Sequence, residues 1–188
     1  MGSTMSKPKT PKKPTTTPRR FSRKDWRARD RRRHPGTLDR HQVEGIALHW
    51  PGMPHPLGTV TAVMNALRSW QRMHMDDNGW SDIAYQVAID QQGNRYRLRG
   101  LKNRSAANGD TSLNLRYGAV LLVLAEGEKP SPAMIAEVRR VVARHRALFP
   151  RSRKIVPHSA IRPGGTDCPG DAVRKLIDGG VFAPVVLR

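Results

Sequence analysis

Three residues far apart in the 188-residue chain carry side chains suited to holding a metal ion: His49, His158 and Cys168. His49 lies in the apolar run GIALHW (45–50), and His158 follows KIVP (154–157). Cys168, the only cysteine, comes ten residues later in SAIRPGGTDCPG. Two imidazoles at neighbouring strand ends and a thiolate in a Gly- and Pro-rich loop make a three-ligand set for zinc. Such a loop can fold back and leave the fourth tetrahedral position open to water. Spacing alone does not establish that set. The chain has seven histidines, and the same residues also read as a core histidine and a small buried hydrophobe. A lone cysteine does exclude an intramolecular disulfide, and with it the small stapled secreted scaffolds.

Side chains so far apart in sequence meet only if a sheet and its loops bring them together. GIALHW, closed by Pro51-Gly52, predicts a buried strand. Thr59 predicts the cap of a helix ending near Met75, with Val60, Val63, Met64, Leu67 and Trp70 inward. IAYQVAI (83–89) and NRYRLR (94–99) flank Asp90-Gln91-Gln92-Gly93 and predict a hairpin. The continuous apolar run GAVLLVLA (118–125) predicts a central strand. Ser131-Pro132 opens a second amphipathic helix with Met134, Ile135, Val138, Val141, Val142 and Phe149 inward, stopped by Pro150. KIVPH (154–158) predicts a last strand and DAVRKLI (171–177) a terminal helix. Strands alternating with helices make the fold class α/β, a central β-sheet flanked by helices.

The formal net charge is +19, from 34 Lys+Arg against 15 Asp+Glu, and it is uneven. Residues 1–33 hold 13 basic and 2 acidic residues, net +11, which leaves net +8 for the other 155. The opening KPKTPKKPTTTP cannot bury apolar surface and predicts a disordered or locally polyproline-like segment. The next stretch sets Phe21 and Trp26 among eight arginines, a composition suited to docking either on the domain or on a polyanion. Residues 1–40 therefore read as a basic, largely disordered N-terminal arm and 41–188 as the folded domain. The charge suits non-specific contact with phosphates, but no base-reading motif accompanies it, so specific nucleic-acid recognition is not expected. No stretch approaches 18 consecutive apolar residues, so no membrane-spanning helix is expected.

RMHMDDNGWSDIAYQVAIDQQGNRY, with GIALHW before it and HSAIRPGGTDCPGDA after it, resembles the zinc-dependent N-acetylmuramoyl-L-alanine amidase family, which includes bacteriophage lysozyme-type amidases and peptidoglycan-recognition proteins. The likeness runs from Val43 to Ile177, with three separated motifs in the family's order. It implies a mixed central sheet with helices on its faces and one Zn2+ per chain at the floor of a surface groove. It assigns His49, His158 and Cys168 as ligands, Tyr85 as the residue facing the metal-bound water, and Thr166 as a neighbour of the developing oxyanion. Asp167 adjoins Cys168 where one branch of the family has an Asp ligand; a thiolate is the better zinc donor and favours Cys168.

That resemblance implies cleavage of the amide between N-acetylmuramic acid and L-alanine of bacterial peptidoglycan, as in a bacteriophage endolysin that lyses its host. The alternatives are a recognition module that binds without cutting and a cytoplasmic muropeptide-recycling amidase. With no secretory signal among the first 20 residues, synthesis in the cytoplasm and holin-dependent release are expected. The basic arm would contact anionic cell-wall polymers, and a monomer is expected. His55, His74, Trp80, Asn108 and Asn114 are the candidate substrate contacts. Each has a plainer reading: His55 as a loop residue, His74 and Trp80 as packed or wall residues, Asn114 as a turn cap. Asn108 stands in the loop where the family usually has a histidine that faces the substrate. His145, between Val141 and Phe149, reads as structural.

Overall fold

The computed structural model describes residues 17–184. Six strands form one mixed sheet: β1 (Arg20–Phe21), β2 (Gly45–His49), β3 (Val87–Ile89), β4 (Arg95–Arg97), β5 (Tyr117–Leu122) and β6 (Lys154–Pro157). Their spatial order is β1-β4-β3-β5-β2-β6. Only β3 and β4 pair antiparallel; the other neighbours run parallel. Four helices accompany them: α1 (Val60–Asp76), α2 (Thr111–Arg116), α3 (Pro132–Leu148) and α4 (Asp171–Asp178). Among the described residues no helix is long and apolar enough to cross a membrane.

Side chains alternate across the sheet, so each strand feeds two cores. Ile46, Leu48, Val120 and Leu122 face α3 and α4, packing with Met134, Val138, Val141, Val142 and Val173. Ala88 and Leu121 face α1 and pack with Val63 and Leu67. Both long helices begin where the sequence signals them. Thr59 Oγ1 accepts from the Ala62 amide at 3.1 Å, and Ser131 Oγ accepts from the Met134 amide at 3.0 Å, each satisfying an otherwise orphaned donor. The hairpin turn closes on Asp90, whose carboxylate accepts from the Gln92 and Asn94 amides and from the Tyr96 hydroxyl.

Two expectations need correction. The strand predicted over 83–89 is confined to 87–89, because side chains capture the backbone groups a ladder would use. Asp82 Oδ1 accepts the Ile83 N–H, Arg99 donates to the carbonyls of Ile83 and Asp82, and the Ala84 N–H is given to His74. Residues 17–40, predicted as part of a largely disordered arm, pack on the domain instead. Phe21 stacks on Tyr96 with ring centroids 4.9 Å apart, and Trp26 is fully buried with its indole N–H donated to the Arg97 carbonyl at 2.9 Å. Arg23 and Arg31 both pair with the buried Asp82, at 2.8 and 3.0 Å. Apolar burial and these ion pairs outweigh the local excess of positive charge. The Lys- and Pro-rich opening, residues 1–16, lies outside the described residues.

Candidate metal centre and cleft

The metal-site candidates meet where β2 and β6 end side by side. Leu48 pairs with Pro157, so His49 and His158 leave the sheet together, and their rings lie 4.3 Å apart between centroids. The loop before α4 then folds back to bring Cys168 over them. One donor atom from each of the three residues lies within 4.8 Å of the others, and Cys168 Sγ is 3.8 Å from His49 Nδ1. Tetrahedral zinc with bonds of about 2.0–2.3 Å needs donors roughly 3.3–3.6 Å apart, so small side-chain adjustments suffice. Asp167 is exposed and is not one of the three.

The protonation pattern also suits a cation. Asn108 donates to the Tyr117 carbonyl at 2.9 Å, and a carbonyl can only accept; the amide is thereby turned so that Oδ1 meets His49 Nε2 at 2.9 Å. Nε2 must then carry the proton, which leaves the Nδ1 lone pair facing Cys168. His158 Nε2 is buried with no partner among the described residues, a costly arrangement unless a ligand satisfies it. Burial lowers His49 to about 3, helped by the neighbouring His158 and opposed by Asn108; burial and Arg162 lower His158 to about 4. Both rings are therefore neutral donors at pH 7. Burial pushes the Cys168 thiol up to about 11, against the Trp50 amide that donates to Sγ at 3.3 Å. A thiolate in that position would require a cation beside it.

Around the trio runs a cleft of about 350 Å3. Tyr85, partly buried, lies edge-on to His49 at 5.4 Å, and burial followed by the nearby thiol raises its hydroxyl above the ordinary range. Thr166 also lines the cleft, and its Oγ1 accepts the Cys168 amide at 3.2 Å, fixing the ligand loop. His74 and Trp80 stack at 5.1 Å and form one wall. His74 is lowered to about 4, mainly by burial and then by Arg99, and its Nδ1 accepts from Ala84; a neutral Nε2–H remains. Gly170 has φ +82° and lies so close to the Trp50 ring that a Cβ would stand 2.9 Å from it, so glycine lets this loop pass over the aromatic.

The remaining sequence candidates fall elsewhere. His55 is exposed and does not line the cleft. Asn108 is fully buried, holds His49 from behind and does not line the cleft. Asn114 braces the same loop: its Oδ1 accepts from the Ser105 hydroxyl and the Asn108 amide, and its Nδ2 donates to the Asp110 carbonyl. His145 is fully buried against Ser152, as a structural role requires. Sequence reasoning missed Arg162, an exposed cation on the cleft wall, although it stands in the same SAIRPGG segment as His158.

A mixed α/β sheet with two imidazoles and a thiol converging in a cleft at its strand ends defines the general class, an α/β domain whose cleft brings together three residues that could hold a metal ion. Residues 39–171 match the family model Amidase_2, N-acetylmuramoyl-L-alanine amidase, and the chain belongs to that family. It is 31% identical over 126 residues to N-acetylmuramoyl-L-alanine amidase of Sus scrofa, covering 59% of this chain and 19% of the relative. It is 27% identical over 158 residues to peptidoglycan-recognition protein LB of Drosophila melanogaster, covering 82% of this chain and 65% of the relative. The chain thus spans less than two thirds of either relative. Wild-type Drosophila PGRP-LB superposes with a TM-score of 0.74 at 23% identity, covering 92% of this chain and 100% of that one. A mutant of that protein in complex with tracheal cytotoxin gives 0.75 at 22%, covering 88% and 96%. At those identities the likeness is one of fold.

Proposed function

We propose that this chain is a zinc-dependent peptidoglycan amidase, hydrolysing the amide that joins N-acetylmuramic acid to the L-alanine of the stem peptide. The observation that carries this reading is the donor set itself: His49 Nδ1 left unprotonated by Asn108, an orphaned buried His158 Nε2, and the Cys168 thiol beside them. Zinc held there would supply Lewis acidity for the scissile carbonyl and a water whose pKa is lowered to about 7. Tyr85, kept protonated by burial, donates a hydrogen bond to the oxygen that gains charge. Thr166 spends an acceptor lone pair on the Cys168 amide, which leaves its O–H free to donate into the cleft. His74 presents a neutral Nε2–H from the opposite wall and orients the substrate without adding charge. The pig relative's name and the tracheal cytotoxin held by a structural neighbour support a muropeptide ligand.

The biological setting we propose is phage-induced lysis, with synthesis in the cytoplasm, later release, and anionic wall polymers met by the basic N-terminal residues. Metal analysis of the purified protein should give one zinc per chain. Purified peptidoglycan should release new amino termini in a reaction abolished by a chelator and by Cys168→Ser. Binding to peptidoglycan with no amino termini released would replace the hydrolase with a recognition module.

A further inference from the structure

The two strands at the β1 edge of the sheet alternate strictly by residue type. Phe21 and Tyr96 are buried in the core that α1 covers, so Arg20 on β1 and Arg95 and Arg97 on β4 all face the side that carries α3. From α3, Glu137, Arg140 and Arg144 project on one helix face, at spacings of three and four. Glu137 is 4% exposed and pairs with Arg95 at 3.2 Å and Arg140 at 3.0 Å. Among the described residues it is the only carboxylate paired with any of these arginines. Five cations therefore meet one anion. Burial holds the Arg95 guanidinium below its ordinary pKa against the pull of Glu137, and Arg20, Arg144 and Arg140 push it the same way. Arg20, Arg140 and Glu137 also line a cavity of about 170 Å3 with Thr17, the residue that follows the acid-free, lysine-bearing residues 1–16. Crowded like charges of this kind attract a polyanion, which gains by releasing its counterions. The face presents no exposed aromatic ring on which a base could stack and no apolar side chain to enter a bilayer. Phe21 and Tyr96 turn the other way, and the one large exposed hydrophobic among the described residues is Met73 on α1.

We propose that the arginine face formed by β1, β4 and α3 docks a flexible phosphodiester polymer of the cell wall. The face lies at the opposite edge of the sheet from β2 and β6, whose ends carry His49 and His158, so a polymer held there leaves the cleft open. The wall as the source of the polymer rests on the amidase reading, whereas the docking chemistry rests on the arginines alone. Charge without stacking or insertion suits a chain of phosphates joined by small polar units.

Titration calorimetry with the zinc-loaded full chain and poly(glycerol phosphate), repeated across a salt series, tests the face independently of turnover. The variant Arg20→Gln/Arg144→Gln leaves both Glu137 pairs in place, so its melting temperature should match that of the wild type. Its affinity at low salt should fall about tenfold, and the slope of log K against log salt should shrink by about 1.4, because each phosphate contact on a flexible chain contributes about 0.7. Arg72→Gln/Lys175→Gln removes the same charge from exposed positions on α1 and α4 and should keep wild-type affinity within about threefold. Arg20→Lys/Arg144→Lys should bind nearly as well as the wild type, since the face acts by charge. Failure of wild-type protein to bind the polymer, equal losses in the two glutamine variants, or a lysine variant as weak as its glutamine counterpart would overturn the proposal. Oligothymidylate with the same number of phosphates supplies the nucleic-acid arm: tighter binding of it than of the polymer would show that bases contribute and would give the face to nucleic acid instead. Amino-terminus release from peptidoglycan is scored separately. Face-dependent polymer binding without release defeats the amidase and leaves the docking face standing, whereas release with no face-dependent binding does the reverse.

Discussion

Replacing Asn108 with Ala separates two jobs done by one side chain. The side chain is fully buried, accepts from His49 Nε2 at 2.9 Å and donates to the Tyr117 carbonyl at 2.9 Å; its contacts to Ser105 Oγ and Leu113 O, at 3.3 and 3.4 Å, are weaker. Truncation leaves two strong buried hydrogen-bonding groups unanswered, at about 1–3 kcal/mol each, so unfolding free energy should fall by about 2–6 kcal/mol. The second job is to hold the proton on Nε2 of His49 and so keep Nδ1 available. Losing an outer partner of a metal-binding histidine weakens metal affinity about 10- to 100-fold, equivalent to about 1.4–2.7 kcal/mol. Competition against a chromophoric zinc chelator at pH 7 measures that loss, and urea unfolding measures the first. Ser105→Ala is the control, since it removes a neighbouring hydroxyl from the same loop without touching His49. A stability loss of the expected size with unchanged zinc affinity would refute the tautomer argument and reduce Asn108 to a packing residue.

Tyr85→Phe should lower kcat about 10²- to 10³-fold while the protein keeps its zinc, as measured by amino-terminus release alongside metal analysis; unchanged turnover removes Tyr85 from the chemistry. Trp26→Ala should cost about 3–5 kcal/mol in urea unfolding, because the indole is fully buried among Leu67, Ile83 and Leu98, and a loss below 1 kcal/mol would return residues 17–40 to a loose arm. His145 predicts acid lability through linkage. Burial lowers its folded value to about 4 from 6.5, so the unfolded chain binds more protons between those limits and stability is lost as pH falls through them. From pH 7 to 5 the contribution is about 2 kcal/mol, and His145→Gln should flatten that part of the slope, whereas identical slopes for both proteins would exclude it.

Elements with a strong period and a clear stop were legible before any coordinates. The helix after Thr59 and the one after Ser131-Pro132 fall within a residue of their expected positions, because cap, apolar stripe and stop agree. Two of the elements left unread have weak local signals. β1 is two residues long and exists through its pairing with β4 and the Phe21–Tyr96 stack; α2 is six residues, announced only by its cap Asp110. The three candidate metal donors were readable as residue types, but the parts of the site that lack charge or rarity were not. Asn108 looks like any loop asparagine until the Tyr117 carbonyl and His49 are both beside it. Asp82 equally reads as one acid in WSDIAY, although its burial under Arg23 and Arg31 decides the path of the irregular segment that carries Tyr85 into β3.

The charge asymmetry consequently divides at residue 16 and not at residue 33. Residues 1–16 contain four lysines and no acid, whereas 17–33 hold nine basic and two acidic residues, net +7. Four of those nine are tied into the domain, Arg23 and Arg31 on Asp82, Arg29 and Arg32 on Asp76. A buried carboxylate such as Asp82 needs its counter-charges present, and removing them leaves a penalty of several kcal/mol, comparable with the stability of a small domain. A truncation after residue 33 would therefore strip the Asp82 partners and the Trp26 side chain together. Any resulting loss of wall lysis would report on folding and on the loop holding Tyr85. A truncation after residue 16 changes the net charge by four and leaves those contacts intact, so it is the cut that isolates electrostatic attraction to an anionic wall.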